Sequence, residues 1–157
     1  MIRQDTIAPG VPPRAPIDGS PAGEPADKAM SATARVLIVE DDYLVAAALE
    51  GGLAEAGIQV VGIAGTAEEA VRLAQTAHPT LAIMDIRLSG RRDGIDAALE
   101  IFRSTGLRCI FATAHHDPAT RARAQAAAPL GWLGKPYTID SLVAMIKAAL
   151  QELSRRH

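Results

Sequence analysis

The chain has 157 residues, enough for one ordinary domain and a tail. Its 16 basic and 18 acidic residues leave a formal charge of −2, so no net field draws it to nucleic acid or to a lipid surface. The single cysteine, Cys109, has no partner for an internal disulfide, the N-terminus MIRQDTIAPG lacks an apolar leader run, and no apolar stretch reaches membrane-spanning length. The expected protein is soluble and cytoplasmic, with no membrane attachment and no direct contact with nucleic acid.

Residues 1–34 read as a disordered tail. Pro9, Pro12, Pro13, Pro16, Pro21 and Pro25, set among Gly, Ala and single charges, remove backbone donors and offer no periodic apolar face. The first apolar run, VLIV (36–39), is a predicted strand that stops in three adjacent carboxylates, Glu40, Asp41 and Asp42. Carboxylates side by side repel and raise one another's pKa, so such a cluster needs a cation or a strong set of hydrogen bonds. Asp42 also suits the N-cap of the next helix. There Val45, Ala48, Leu49, Gly52, Leu53 and Ala56 recur at three- and four-residue intervals, with Gly57 as a stop.

IQVVGI (58–63) is the second predicted strand, and Thr66-x-x-Glu69 opens the second helix as a capping box. TLAIM (80–84) forms the third strand and leads into Asp85. Ile95, Ala98, Leu99 and Phe102 stripe the third helix, which ends near Gly106. After CIFAT (109–113), Asp117-Pro118 supplies the cap and first turn of a fourth helix over 118–128. That helix contains no Leu, Ile, Val or Phe. Burying methyls contributes only about 0.8 kcal/mol per CH₂-sized group, so it is expected to dock loosely. LGWL (130–133) is the fifth strand. Ile139, Leu142, Val143, Ile146, Leu150 and Leu153 form the apolar face of the last helix, and 154–157 is a short tail.

Five alternations of short apolar runs with amphipathic helices predict a parallel sheet with right-handed crossovers. Ligands of such sheets collect outside the carboxyl ends of the strands. At those ends stand Glu40-Asp41-Asp42, Asp85, Thr113 and Lys135-Pro136, each group on a strand of its own.

This ordered set resembles the receiver domain of two-component response regulators, the family that includes the chemotaxis response regulator, over Arg35 to Leu153. The resemblance implies a flavodoxin-like α/β fold: a doubly wound five-stranded parallel sheet of order 2-1-3-4-5 with five helices. Mg²⁺ is a hard ion that takes oxygen ligands. By the resemblance it is held by Asp41 and Asp85 directly, by the backbone carbonyl of Arg87, and by Glu40 through water. Asp85 is then the phosphoacceptor, with Lys135, Thr113 and the backbone N–H of Ala114 contacting the phosphoryl oxygens. Arg87 and His115, two residues past Asp85 and Thr113, are expected to tune the phosphoryl lifetime. Trp132 stands three residues before Lys135, where the chemotaxis regulator carries a switching tyrosine; filling and switching roles are both open to it.

The implied partners are a sensor histidine kinase or histidine phosphotransfer protein and a downstream protein target. A homodimer through the face of the fourth helix, fifth strand and fifth helix is a further expectation. The protein acts on itself, by self-phosphorylation from a donor and autodephosphorylation, rather than as a conventional enzyme. With no output module after His157, a stand-alone regulator, a phosphorelay intermediate and a phosphate sink stay open, as does a degenerate receiver that binds without phosphorylation. Haloacid-dehalogenase-like phosphatases are disfavoured because they need an aspartate two residues past the nucleophile, where Arg87 stands. Flavin binding is disfavoured because carboxylates replace a phosphate loop. No histidine pair has helical zinc spacing.

Overall fold

The computed structural model describes residues 34–114 and 117–156. His115 and His116 lie outside the described residues, as do the first 33 and His157. The chain alternates β1 (Arg35–Val39), α1 (Tyr43–Glu55), β2 (Gln59–Ala64), α2 (Ala67–Thr76), β3 (Leu81–Asp85), α3 (Gly94–Thr105), β4 (Cys109–Thr113), α4 (Pro118–Ala124), β5 (Gly131–Gly134) and α5 (Ile139–Arg155). All strand pairs are parallel and the sheet order is β2-β1-β3-β4-β5, the flavodoxin-like order. β1 and β2 pair with a register shift between Val36 and Leu37.

Helices cover both sheet faces, which is why the strand sequences are apolar without alternation. One side chain in two along β1, β3 and β4 packs with α2, α3 and α4: Leu37, Val39, Met84 and Phe111 meet Val71, Ile95 and Ile101. The other set, Val36, Ile38, Ile83 and Ile110, meets Leu49, Leu53, Leu142 and Ile146 from α1 and α5. β3 and β4 are buried throughout, whereas the edge strands β2 and β5 are partly exposed.

Helix ends follow local chemistry. Asp42 caps α1 by accepting from the N–H groups of Leu44 and Val45. Thr66 accepts from the N–H of Glu69, but the Glu69 carboxylate reaches back to the N–H of Gly65 instead of Thr66, so the expected reciprocal box closes one residue earlier. Two full capping boxes, Asp93/Asp96 on α3 and Thr138/Ser141 on α5, were not anticipated. Gly106 ends α3 at φ 80°, in the left-handed region that glycine tolerates.

Three expected boundaries are corrected. Ala34, assigned to the tail by composition, is fully buried; it is small, and the next residue is anchored by its N–H to Thr80 Oγ1. α5 continues past Leu153 to Arg155, whose charge complements the helix C-terminus. The fourth helix stops at Ala124 and tightens into a 3-10 turn (Gln125–Ala127), because Pro129 disfavours a helical Ala128, which adopts φ 52°.

Candidate functional site

The carboxyl ends of β1, β3, β4 and β5 converge on one cavity of about 340 Å³, lined by Glu40, Asp41, Asp42, Val45, Asp85, Arg87, Thr113, Ala114 and Lys135. Asp85 is the last residue of β3, still paired opposite Ala112 in the ladder, and Thr113 is the last of β4. The central strands therefore fix two of the expected site side chains as part of the sheet itself. Lys135 follows β5, where its N–H donates to the carbonyl of Thr113 at 3.0 Å.

Lys135 Nζ lies 3.2 Å from Asp85 Oδ2 and 3.7 Å from Glu40 Oε1. Glu40 and Asp85 are buried while Asp41 is exposed, and one carboxylate oxygen from each of the three lies within 4.8 Å of the others. Hydrogen bonds hold the acids in place. The N–H of Asp42 donates to Glu40 Oε2 at 3.0 Å, and the N–H of Arg87 donates to Asp85 Oδ1 at 3.3 Å. The hydroxyl of Ser89 donates to Asp41 Oδ2 at 3.0 Å.

The electrostatics are those of an under-neutralised acidic cluster. Burial pushes the Glu40 carboxyl above its ordinary value, and the Asp85 charge adds to the rise; the N–H of Asp42 and Lys135 oppose it. Tyr137, half-buried nearby, has its hydroxyl pKa raised by burial and then by the charges of Glu40 and Asp85. Counted formally, the three carboxylates of Glu40, Asp41 and Asp85 outnumber the one ammonium of Lys135. An all-oxygen donor set of this charge fits a hard divalent cation such as Mg²⁺.

The structure thus brings together Glu40, Asp41, Asp85, Arg87, Thr113, Ala114 and Lys135, while Asp42 both lines the cavity and caps α1. His115 lies outside the described residues. Trp132 sits away from this cavity, stacked on Phe111 with ring centroids 4.8 Å apart, and the Arg121 guanidinium lies 4.8 Å from its ring. The sequence reading missed Ser89. A small hydroxyl four residues past Asp85 carries no signal until the loop folds it against Asp41. Cys109 lies buried in the core, its thiol pushed up to about 12 by burial, and takes no part in the site.

The chain and its fold are matched by known proteins. Residues 36–147 fit the model of the response regulator receiver domain. The transcriptional regulatory protein PdtaR of Mycobacterium tuberculosis is 40% identical over 116 residues, covering 74% of this chain and 56% of that protein. The phyllosphere-induced regulator PhyR of Methylorubrum extorquens is 32% identical over 124 residues, covering 77% and 46%. The chain spans about half the length of these curated relatives. Among solved structures, the signal receiver domain of a modulated diguanylate cyclase from Desulfovibrio desulfuricans superposes with a TM-score of 0.73 at 37% identity, covering 78% of this chain and 98% of that one. By its sequence, its sheet order and its solved neighbours, the chain belongs to the response regulator receiver domain family of two-component signalling.

Proposed function

We propose that the protein accepts a phosphoryl group on Asp85 from a sensor histidine kinase or histidine phosphotransfer protein, in a Mg²⁺-dependent reaction, and passes the signal on by protein contact. One observation carries this reading: the buried Asp85 carboxylate at the end of β3 has an ammonium 3.2 Å away and, beside it, two further carboxylates, Glu40 and Asp41, that follow β1.

The chemistry follows from that placement. An Asp85 oxygen attacks phosphorus; the bond from phosphorus to the donor's histidine nitrogen breaks, and the nitrogen leaves with the electron pair. A carboxylate is a weak nucleophile, so the rate comes from positioning and charge neutralisation. The hydrogen bond from the N–H of Arg87 holds Oδ1 in place and leaves Oδ2 on the Lys135 side. Lys135 balances charge on the incoming phosphoryl oxygens, and Thr113 with the N–H of Ala114 supplies hydrogen bonds from β4. Asp41 and Asp85 would hold Mg²⁺ directly, with the carbonyl of Arg87, and Glu40 would act through water; when bound, the ion would neutralise phosphoryl charge. Hydrolysis of the acyl phosphate by water then resets the site, and Arg87 at the cavity wall governs the access of that water.

The test is incubation with Mg²⁺ and acetyl phosphate, read by intact mass. One added phosphoryl group is expected in the wild type and none in Asp85→Asn or without Mg²⁺. Labelling that persists in Asp85→Asn rejects the assignment.

A further inference from the structure

A second cavity, of about 590 Å³, shares Arg87 and Thr113 with the first. Its wall carries four guanidiniums, from Arg87, Arg91, Arg92 and Arg123, against two carboxylates, Asp93 and Asp117. Both carboxylates are already engaged. Asp93 accepts a two-point fork from Arg123, and Asp117 accepts from the N–H and the hydroxyl of Thr120 at the start of α4. Arg92 turns to Glu100 at 2.6 Å and to Glu68 at 3.8 Å. Arg87 and Arg91 are exposed, and among the described residues neither side chain forms an ion pair. The groove therefore holds positive charge that the fold leaves unmatched, next to a site that is itself negative.

We infer that this groove docks acidic side chains of the protein that delivers the phosphoryl group to Asp85, and so helps select that donor. The inference rests on the reading of Asp85 given above. A donor protein must bring its phosphorylated side chain over the cavity at Glu40, Asp85 and Lys135. Arg87 and Thr113 wall that cavity and begin the groove, so the donor's surface covers both. At the start of α1, Tyr43 and Leu44 are 80% and 77% exposed, and the next residue, Val45, lines the carboxylate cavity. A partner seated over the cavity therefore has exposed apolar side chains within reach as well as the guanidiniums of the groove.

Guanidiniums match carboxylates in a two-point geometry, and a positive groove beside the site orients an acidic partner during encounter. Exposed, salt-screened arginines hold a small free anion weakly. A protein that excludes water over the groove strengthens the same contacts. These points favour a protein partner over a small phosphate-bearing molecule.

The experiment titrates hexaglutamate and, separately, inorganic pyrophosphate into the isotope-labelled full chain and follows its amide signals. Hexaglutamate is expected to move signals of residues 86–93 and 120–123, with affinity about tenfold weaker in Arg91→Glu. Arg91 is exposed, so its replacement leaves the fold intact, and acetyl phosphate labelling of Asp85 is expected to proceed unchanged in that variant. Three results overturn the inference: no response to hexaglutamate at these residues, equal affinity in Arg91→Glu, or pyrophosphate binding there as tightly as the peptide. The labelling arm separates the two claims. If wild-type Asp85 takes no phosphoryl group, the reading of the site fails; if labelling succeeds while the groove ignores the peptide, the docking inference fails alone.

Discussion

Arg123 grips Asp93 with both terminal nitrogens, each 2.8 Å from a carboxylate oxygen, and reaches Asp96 at 3.0 Å as well. The fork ties α4 to the N-terminus of α3 and adds to the burial of Ala124 and Ala127, the small side chains that α4 and its 3-10 turn set against the core. The contact is partly exposed, so its removal is expected to cost about 1 kcal/mol. In Arg123→Ala, amide hydrogen exchange over 117–127 is expected to accelerate about fivefold while β3 and β4 are unaffected. Exchange that stays at the wild-type rate means that apolar contacts alone dock the helix.

The same fork sets an acid limit. Burial works to raise the Asp93 carboxyl, but hydrogen bonds from Arg123 and from the N–H of Asp96 outweigh it and hold the group below its ordinary value. A carboxyl whose folded pKa is depressed contributes stability that is full above the unfolded value and is lost as pH falls through the folded one. Docking of α4 should therefore be constant from neutral pH down to about 4 and weaken below that. Exchange over 117–127 measured along an acid series checks this, with Asp93→Asn expected to flatten the profile. An acid response of equal size in Asp93→Asn places the titrating group elsewhere.

The alternation of five strands with five helices and the residues that follow the strands were legible in the sequence because parallel strands bury both faces and place whatever follows each strand at one edge; the sheet order came with the family resemblance. Glu40, Asp85, Thr113 and Lys135 needed only the strand ends to be found within a residue. What escaped were links between residues distant in sequence and ordinary in type. Arg123 and Asp93 look like solvated surface charges until α3 and α4 pack, and Ser89 looks like loop filler until it meets Asp41. Capping at Asp93 and Asp96 was hidden because an aspartate at the third position replaces the glutamate of the usual box.

Metal binding to the folded state alone must raise stability by mass action, by about 2.7 kcal/mol when free metal is a hundredfold above its dissociation constant. Millimolar Mg²⁺ is accordingly expected to raise the melting temperature of the wild type. Asp41→Asn and Asp85→Asn each remove a carboxylate from the cluster of three and should blunt that rise. A Mg²⁺-dependent shift of the same size in both variants excludes this cluster as the binding site.

Gly94 shows how closely the start of α3 is drawn against the end of β3. Its N–H donates to the carbonyl of Ile86 at 2.7 Å, and a Cβ built at this position would overlap the backbone carbonyl oxygen of Asp85. The obstacle is main chain rather than a flexible side-chain tip, so relief requires the loop or the end of β3 to shift. Gly94→Ala is expected to cost about 3 kcal/mol in chemical denaturation and to lower acetyl phosphate labelling of Asp85. Gly51→Ala, where a Cβ meets nothing within 4 Å, is the control. Equal stabilities for the two variants would refute the close approach.

Trp132 is the chain's single tryptophan, so its emission reports one location. It stacks on Phe111 of β4 while Arg121 of α4 lies over its ring, which makes the indole a packed reporter of α4 rather than a free rotor. If phosphorylation shifts the docking of α4, Mg²⁺ with beryllofluoride, a phosphoryl mimic, should alter the emission by moving the guanidinium away from the ring. Arg121→Ala should then begin with altered emission and respond little to the mimic. An identical response in wild type and Arg121→Ala points instead to the indole itself turning, as a switching aromatic would. No response in the wild type means that α4 keeps its place over Trp132 when the site is filled, and that the signal leaves by another surface.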